Sequence, residues 1–328
     1  SAFAYYTGVQ GVEAQPGSVL VMEPTKEGHT PILFINPRST RDTDAFYRDA
    51  KNGELWVGRR FTLKEAQDRY QIETRCIDDL EALLNDGAAS LIIRGEDPMV
   101  DKIVATHLDE KSFETYTSSV RLIKDEYEVA ELQRACDETA KGFADVVRAL
   151  PAAVSTPRGE RVVEAAFFGR ARIAGNDLGY ETIAASGSHA CVLHWIQNDG
   201  EVRPGELILI DAGIEMDSYY TADITRTLPI SGKFSPAQRA LYMLVYEAQR
   251  AGFAAVKPGA KFKDITNASH EVLAKGLEKL GVLPISAEAS LDPEMGLHKR
   301  WTVHGVSHML GIDVHDCNEA RVVAPSPR

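Results

Sequence analysis

Two aspartates and a histidine-rich segment hold the most reactive combinations in the chain. Asp211 stands near the end of the run Leu207-Ile208-Leu209-Ile210-Asp211-Ala212-Gly213. Asp223 lies in the next one, Tyr220-Thr221-Ala222-Asp223-Ile224-Thr225-Arg226-Thr227. If the two runs pair as a hairpin, both carboxylates can face one side of the sheet. Neighbouring anions in an apolar setting repel, and one must take up a proton unless a cation lies between them. A plainer arrangement pairs one aspartate with Arg226 and leaves the other to cap a turn.

The segment His304-Gly305-Val306-Ser307-His308-Met309-Leu310-Gly311-Ile312-Asp313-Val314-His315-Asp316 gathers three of the nine histidines. His304 and His308 have the i, i+4 spacing of a helical zinc pair. No Glu follows His304, however, and Gly305 weakens a helix, so this is not an H-E-x-x-H box. A neutral imidazole is the commonest nitrogen ligand, and the remaining histidines can position a substrate or move protons. A weaker signal is Ser186-Gly187-Ser188-His189-Ala190-Cys191-Val192-Leu193-His194-Trp195, a glycine-flexed loop ahead of the first aspartate strand.

The elements that must position these groups are α/β in pattern. Ser18–Met22 and Pro31–Ile35 read as a hairpin, and Glu54–Gly58 and Ala89–Ile93 as further strands. Thr62-Leu63-Lys64-Glu65 has capping-box spacing and starts a helix. Other helices are expected over Asp78–Asn85 and from Asp97. The composition shifts near Thr115–Val120, which divides the chain into domains at 1–118 and 119–328. A long amphipathic helix follows, with Val129, Leu132, Cys136, Ala140, Phe143 and Val147 as its apolar stripe, ended by Pro151. A helix after Gly159-Glu160 precedes strands at Tyr180–Ala185, Glu206–Asp211 and Thr221–Pro229. Ser235-Pro236-Ala237-Gln238 opens another helix, with Ser at the cap and Pro in the first turn, and a last one covers Asp264–Leu280.

Composition narrows the function. A chain of 328 residues, 44% hydrophobic and 26% charged, suits a two-domain globular protein. Its net charge of −12 argues against nucleic acid as a partner. No apolar run approaches the roughly 18 residues of a membrane helix. The four cysteines are scattered without a C-x-x-C pair, and Ser1–Tyr6 lacks the pattern of a secretory signal, so a reducing, cytoplasmic setting is expected.

Taken together and in order, the S-G-x-x-x-x-x-L-H, L-I-D-A-G, A-D-I-T-R-T and H-G-x-S-H-x-L-G-x-D-V-H-D strings closely resemble the Xaa-Pro aminopeptidase (aminopeptidase P) and prolidase group of pita-bread metallopeptidases. The resemblance extends more weakly through residues 1–118, where Phe3-Ala4-Tyr5-Tyr6-Thr7-Gly8 looks like a segment inside that family's first domain. It implies an α/β (α+β) chain. A creatinase/aminopeptidase P-like scaffold or oligomerisation domain, missing its start, precedes a pita-bread catalytic domain that lacks its C-terminal strands.

The family's centre holds two divalent metal ions on two Asp, one His and two Glu. The resemblance assigns Asp211 to one metal, Asp223 to the bridge and His308 as the imidazole. It gives His194, His304 and His315 catalytic roles, orienting the peptide or shuttling protons. The family's two Glu motifs follow the H-D segment, and the chain reaches Arg328 without either. Apparent truncation at both ends therefore leaves metal occupancy open. Mn²⁺ is the expected ion, ahead of Co²⁺ or Zn²⁺.

The implied activity is removal of the N-terminal residue from peptides with proline second, by metal-activated water, with Trp195 as a candidate wall for the proline ring. A prolidase acting on Xaa-Pro dipeptides, or a catalytically impaired pseudoenzyme form, are the contrasting expectations. A homo-dimer or homo-tetramer is implied as well.

Overall fold

The computed structural model describes residues 2–10, 13–85, 90–105 and 108–320. The chain divides into two compact units, one of residues 1–135, 215–221 and 311–328, the other of 136–214 and 222–310.

The first unit is built on a three-stranded sheet. Strands β1 (Val19–Thr25) and β2 (Gly28–Ile35) form the expected hairpin, with Val19 opposite Phe34, and β3 (Glu73–Cys76) joins β2 in parallel. Side chains alternate across a strand. Leu33 and Ile35 therefore pack with Val9, Ala66 and Ile72 on one face, and Ile32 and Phe34 with Leu80 on the other. Helices α1 (Ala2–Thr7), α2 (Asp44–Arg48), α3 (Glu54–Val57), α4 (Leu63–Tyr70), α5 (Leu80–Leu84), α6 (Pro98–Ile103) and α7 (Glu110–Leu122) complete this part. The capping box at Thr62 and Glu65 is present, and Asp97 caps α6.

Two expected strands are absent from this unit. Glu54–Val57 is a short helix, with Leu55, Trp56 and Val57 all exposed, so it has no buried face to alternate against. Its Trp56 indole N–H donates to the Tyr47 carbonyl. Residues 90–93 do not form a strand, although Ile92 is buried; Ala89 lies outside the described residues.

Helix α8 (Glu126–Val154) runs through Pro151 instead of stopping there. That proline falls in the last turn, so the helix forgoes the bond its N–H would make to the Val147 carbonyl and ends within one turn of it. The buried stripe is also rotated from the expected one. Glu128, Glu131, Ala135, Thr139, Val146 and Leu150 are buried, while Val129 and Val147 are exposed. Polar partners decide this face: Glu128 accepts from the Tyr220 hydroxyl at 2.9 Å, Glu131 from Ser218 at 2.5 Å, and Thr139 Oγ1 from the Ile214 amide at 3.0 Å.

The second unit centres on an antiparallel sheet of β4 (Ile183–Ser186), β5 (Leu207–Ala212) and β6 (Ile224–Pro229), with β5 in the middle. Asp211 stands opposite Ile183 on one side and Thr225 on the other. Strand β6 begins at Ile224, later than expected, and Thr221 makes only an isolated bridge. Helix α9 (Gly159–Ala174) precedes the sheet. Helices α10 (Pro236–Ala255), α11 (Phe262–Lys279) and α12 (Ala287–Leu291) follow it. The Ser235–Gln238 capping box and Pro236 start α10 as the sequence indicates. Gly252 and Gly276 let α10 and α11 approach closely: a Cβ at Gly252 would lie 2.7 Å from Ser269 Oγ, and one at Gly276 would meet Leu244. Among the described residues no helix is long and apolar enough to cross a membrane.

Candidate metal centre

Strand pairing brings Asp211 and Asp223 together. In β5, Ile208, Ile210 and Ala212 are buried on one face, and Asp211 belongs to the alternate, half-buried set. Gly213 then allows the chain carrying Asp223 to pass close by, since a Cβ there would collide with the Ala222 carbonyl. Both carboxylates converge on one phenol. The Tyr180 hydroxyl bonds to Asp211 Oδ1 and lies 2.9 Å from Asp223 Oδ1.

On its other oxygen, Oδ2, Asp223 faces His308 Nε2 at 2.9 Å, and His308 Nδ1 lies 3.0 Å from the Met309 carbonyl. Burial raises the Asp211 carboxyl above its ordinary range, and the charge of Asp223 adds to the rise, while hydrogen bonds from Tyr180 and Thr225 oppose it. Burial, reinforced by both carboxylates, also drives the Tyr180 phenol far upward, so its proton stays in place.

These groups fit a divalent cation. A phenol has one hydrogen to donate, yet Tyr180 serves two carboxylates. A carbonyl can only accept, so His308 Nδ1 carries the proton in that contact. A neutral His308 then turns a bare Nε2 toward a carboxylate oxygen. Both places set lone pair against lone pair unless a proton or a cation intervenes.

The remaining expected site residues, His194, His304 and His315, all have exposed side chains. His194 is exposed, on the loop between β4 and β5. His304 is exposed with Nδ1 2.9 Å from the Gly305 carbonyl, and residues 304–308 are not helical. His315 belongs to the first unit and is exposed there. Its neighbour Asp316 is buried and held by Lys124 at 2.8 Å and Arg121 at 3.0 Å. Trp195 is occupied by its own loop: its indole N–H donates to Glu160 at 2.9 Å and its ring stacks on His189. The sequence reading missed Tyr180 as a site residue. Its only signal was its position at the head of the first strand run.

The sheet carboxylates, the phenol between them and the imidazole form a cluster of oxygen and nitrogen groups of the kind that can hold a metal ion, on an antiparallel sheet in the second of two α/β units. Comparison with known proteins gives the same class a family. Residues 130–327 match metallopeptidase family M24, and residues 1–91 match the aminopeptidase P N-terminal domain. The chain belongs to metallopeptidase family M24, whose members hold divalent metal ions.

It is 48% identical over 326 residues to Xaa-Pro aminopeptidase 1 of Streptomyces coelicolor, covering 98% of this chain and 64% of that protein. It is 45% identical to Xaa-Pro aminopeptidase 2 of the same organism, covering 98% and 68%. The chain thus spans less than two thirds of the first relative's length. Among solved structures it resembles zinc-substituted E. coli aminopeptidase P in complex with product, with a TM-score of 0.81 at 28% identity, covering 99% of this chain and 75% of that one. Proline aminopeptidase P II from Yersinia pestis gives the same TM-score and identity, covering 99% and 76%.

Proposed function

We propose that this chain carries the activity of a metal-dependent Xaa-Pro aminopeptidase, which removes the N-terminal residue from peptides with proline in second position. The convergence of Asp211, Asp223 and His308, in a chain whose relatives are named Xaa-Pro aminopeptidases, carries the reading. Asp211, Asp223 and His308 would hold the metal, and this mixture of hard oxygen and imidazole donors suits Mn²⁺. The bound ions would supply an acidified water and polarise the scissile carbonyl.

The chain's own residues do the rest. Tyr180 keeps the two carboxylates in register and retains its proton. The Met309 carbonyl fixes the His308 tautomer and so aims Nε2 at the centre. His194, His304 and His315 are the candidates for orienting the peptide and moving protons to the leaving amine. An Xaa-Pro bond has no amide hydrogen, so recognition must rest on the free amine, the carbonyl and the ring. Four free cysteines suit a cytoplasmic setting, and the resemblance to aminopeptidase P supports a homo-dimer or homo-tetramer.

The test uses the natural-length protein with Mn²⁺ and a matched set of Xaa-Pro-Xaa tripeptides, Gly-Pro and Xaa-Ala-Xaa. Release of the first residue from the proline tripeptides supports the proposal. Turnover confined to Gly-Pro assigns a prolidase instead, and no turnover of any proline peptide overturns the reading.

A further inference from the structure

Glu160, the second residue of α9, has no exposed side-chain surface and no lysine or arginine partner among its contacts. An isolated buried carboxylate is costly unless its lone pairs are filled. Here four donor groups surround it. Oε1 accepts from the Ser186 amide at 2.7 Å and lies 2.8 Å from His189 Nδ1. Oε2 accepts from the Trp195 indole at 2.9 Å and the Gly200 amide at 2.8 Å. The Glu160 amide in turn donates to the Gly200 carbonyl at 3.1 Å. A single side chain therefore grips residues 187–200 at both ends and in the middle.

The rest of the loop is built to match. The His189 and Trp195 rings stack with centroids 3.9 Å apart. Gly200 passes so near that a Cβ would lie 2.5 Å from His189 Cε1 and 2.8 Å from Glu160 Oε2. Asn198, fully buried, accepts from the Ala184 amide and donates to the Thr182 carbonyl. His194 is next to Trp195 on this tethered loop, yet its own side chain is exposed. The loop is thus fixed by its neighbours, and the histidine is left free to meet a ligand.

We propose that Glu160 is a positioning residue, whose buried carboxylate clamps the loop 187–200 and thereby sets His194 for the substrate. The inference rests on the reading of His194 as a substrate-facing group. A carboxylate suits the task because both oxygens must accept. Glutamine would turn an N–H₂ toward one pair of donors, breaking that half of the clamp at nearly constant volume.

Two readouts test it in the natural-length protein. In a Trp56→Phe, Trp301→Phe background, where both removed rings are exposed, Trp195 is the fluorescent reporter within this chain, any tryptophan beyond it being replaced likewise. Glu160→Gln should shift Trp195 emission to the red and lose the slow exchange of the Ser186 and Gly200 amides. With an Xaa-Pro-Xaa tripeptide, Glu160→Gln should lower kcat/KM on the order of 10²-fold, the cost of a small misplacement of a reacting group. Glu160→Gln with His194→Ala should be no worse than His194→Ala alone, because one acts through the other.

Trp195→Phe removes one clamp bond while keeping an aromatic ring on His189, and should give a smaller loss of the same kind. It answers the question if Glu160→Gln does not fold. Additive losses in the double variant, native Trp195 emission and amide protection in Glu160→Gln, or wild-type kinetics in His194→Ala each overturn the proposal. Absence of wild-type turnover strikes the assigned activity, and the emission and exchange results then decide the clamp by themselves.

Discussion

His308 Nε2 meets Asp223 Oδ2 at 2.9 Å while His308 Nδ1 is turned to the Met309 carbonyl at 3.0 Å. The backbone thus fixes which nitrogen faces the carboxylates, the arrangement usual for metal-ligating imidazoles. His308→Ala removes a donor without disturbing strand pairing. Mn²⁺ affinity, measured by calorimetry on chelator-stripped, natural-length protein, should fall at least roughly 10- to 100-fold. Unchanged affinity and stoichiometry would remove His308 from the centre.

Asp211 and Asp223 make opposite contributions with and without metal. The Asp211 carboxyl is held above its ordinary range by burial and by Asp223. Such a group stabilises the fold below its unfolded-chain pKa, and this contribution is lost as pH rises through the folded value. Above that folded value the ionised Asp211 carboxylate is therefore a burden on the metal-free protein. Asp211→Asn relieves that burden and should raise the metal-free Tm, read by calorimetric melting of the chelator-stripped protein. In Mn²⁺ the order should reverse, because the variant loses the stabilisation that ligand binding confers. A variant with a lower Tm in both conditions contradicts the repulsion argument.

Gly213 explains the last letter of the L-I-D-A-G run. Its missing side chain is where the Ala222 carbonyl passes, next to Asp223. Gly213→Ala would have to push backbone from backbone, which a flexible side chain cannot absorb. The expected loss is about 3 kcal/mol, seen as a lower urea midpoint, with weaker Mn²⁺ binding as the two aspartates separate. A wild-type midpoint would show that the strands have slack.

The parts of the fold legible in the sequence are those encoded locally. The caps at Thr62 and Ser235, the first hairpin and the strands around Asp211 depend on neighbours a few residues apart. The misread parts are those that distant residues decide. Glu128 and Glu131 take the inward face of α8 because Tyr220 and Ser218 need acceptors, which displaces the apolar stripe by one position. The centre divides the same way. Asp211, Asp223 and His308 stand out by type and spacing. Tyr180 and Glu160 are ordinary residues in sequence, and folding alone reveals that one joins the aspartates and the other gathers a loop.

Away from the candidate metal centre, half-buried His270 and buried His298 form a pair in which pH should be felt. His298 Nδ1 lies 2.9 Å from the Ser290 carbonyl, so it carries a proton, and Nε2 is left to accept from His270 Nδ1 at 3.2 Å. His270 Nε2 is buried without a hydrogen-bond partner. Burial lowers the His270 pKa, and the nearby His298 and Lys299 lower it further. The unfolded chain therefore binds a proton more readily than the fold does. Neutral His270 contributes fully above the unfolded value of about 6.5, and its contribution falls as pH drops below it. His270→Gln keeps an N–H for His298 and cannot titrate. Between pH 7.5 and 5.5 the wild type should lose more Tm than the variant, with a difference of at most about 1.4 kcal/mol per pH unit for one proton. Parallel Tm curves would mean that the pair already accommodates the charge.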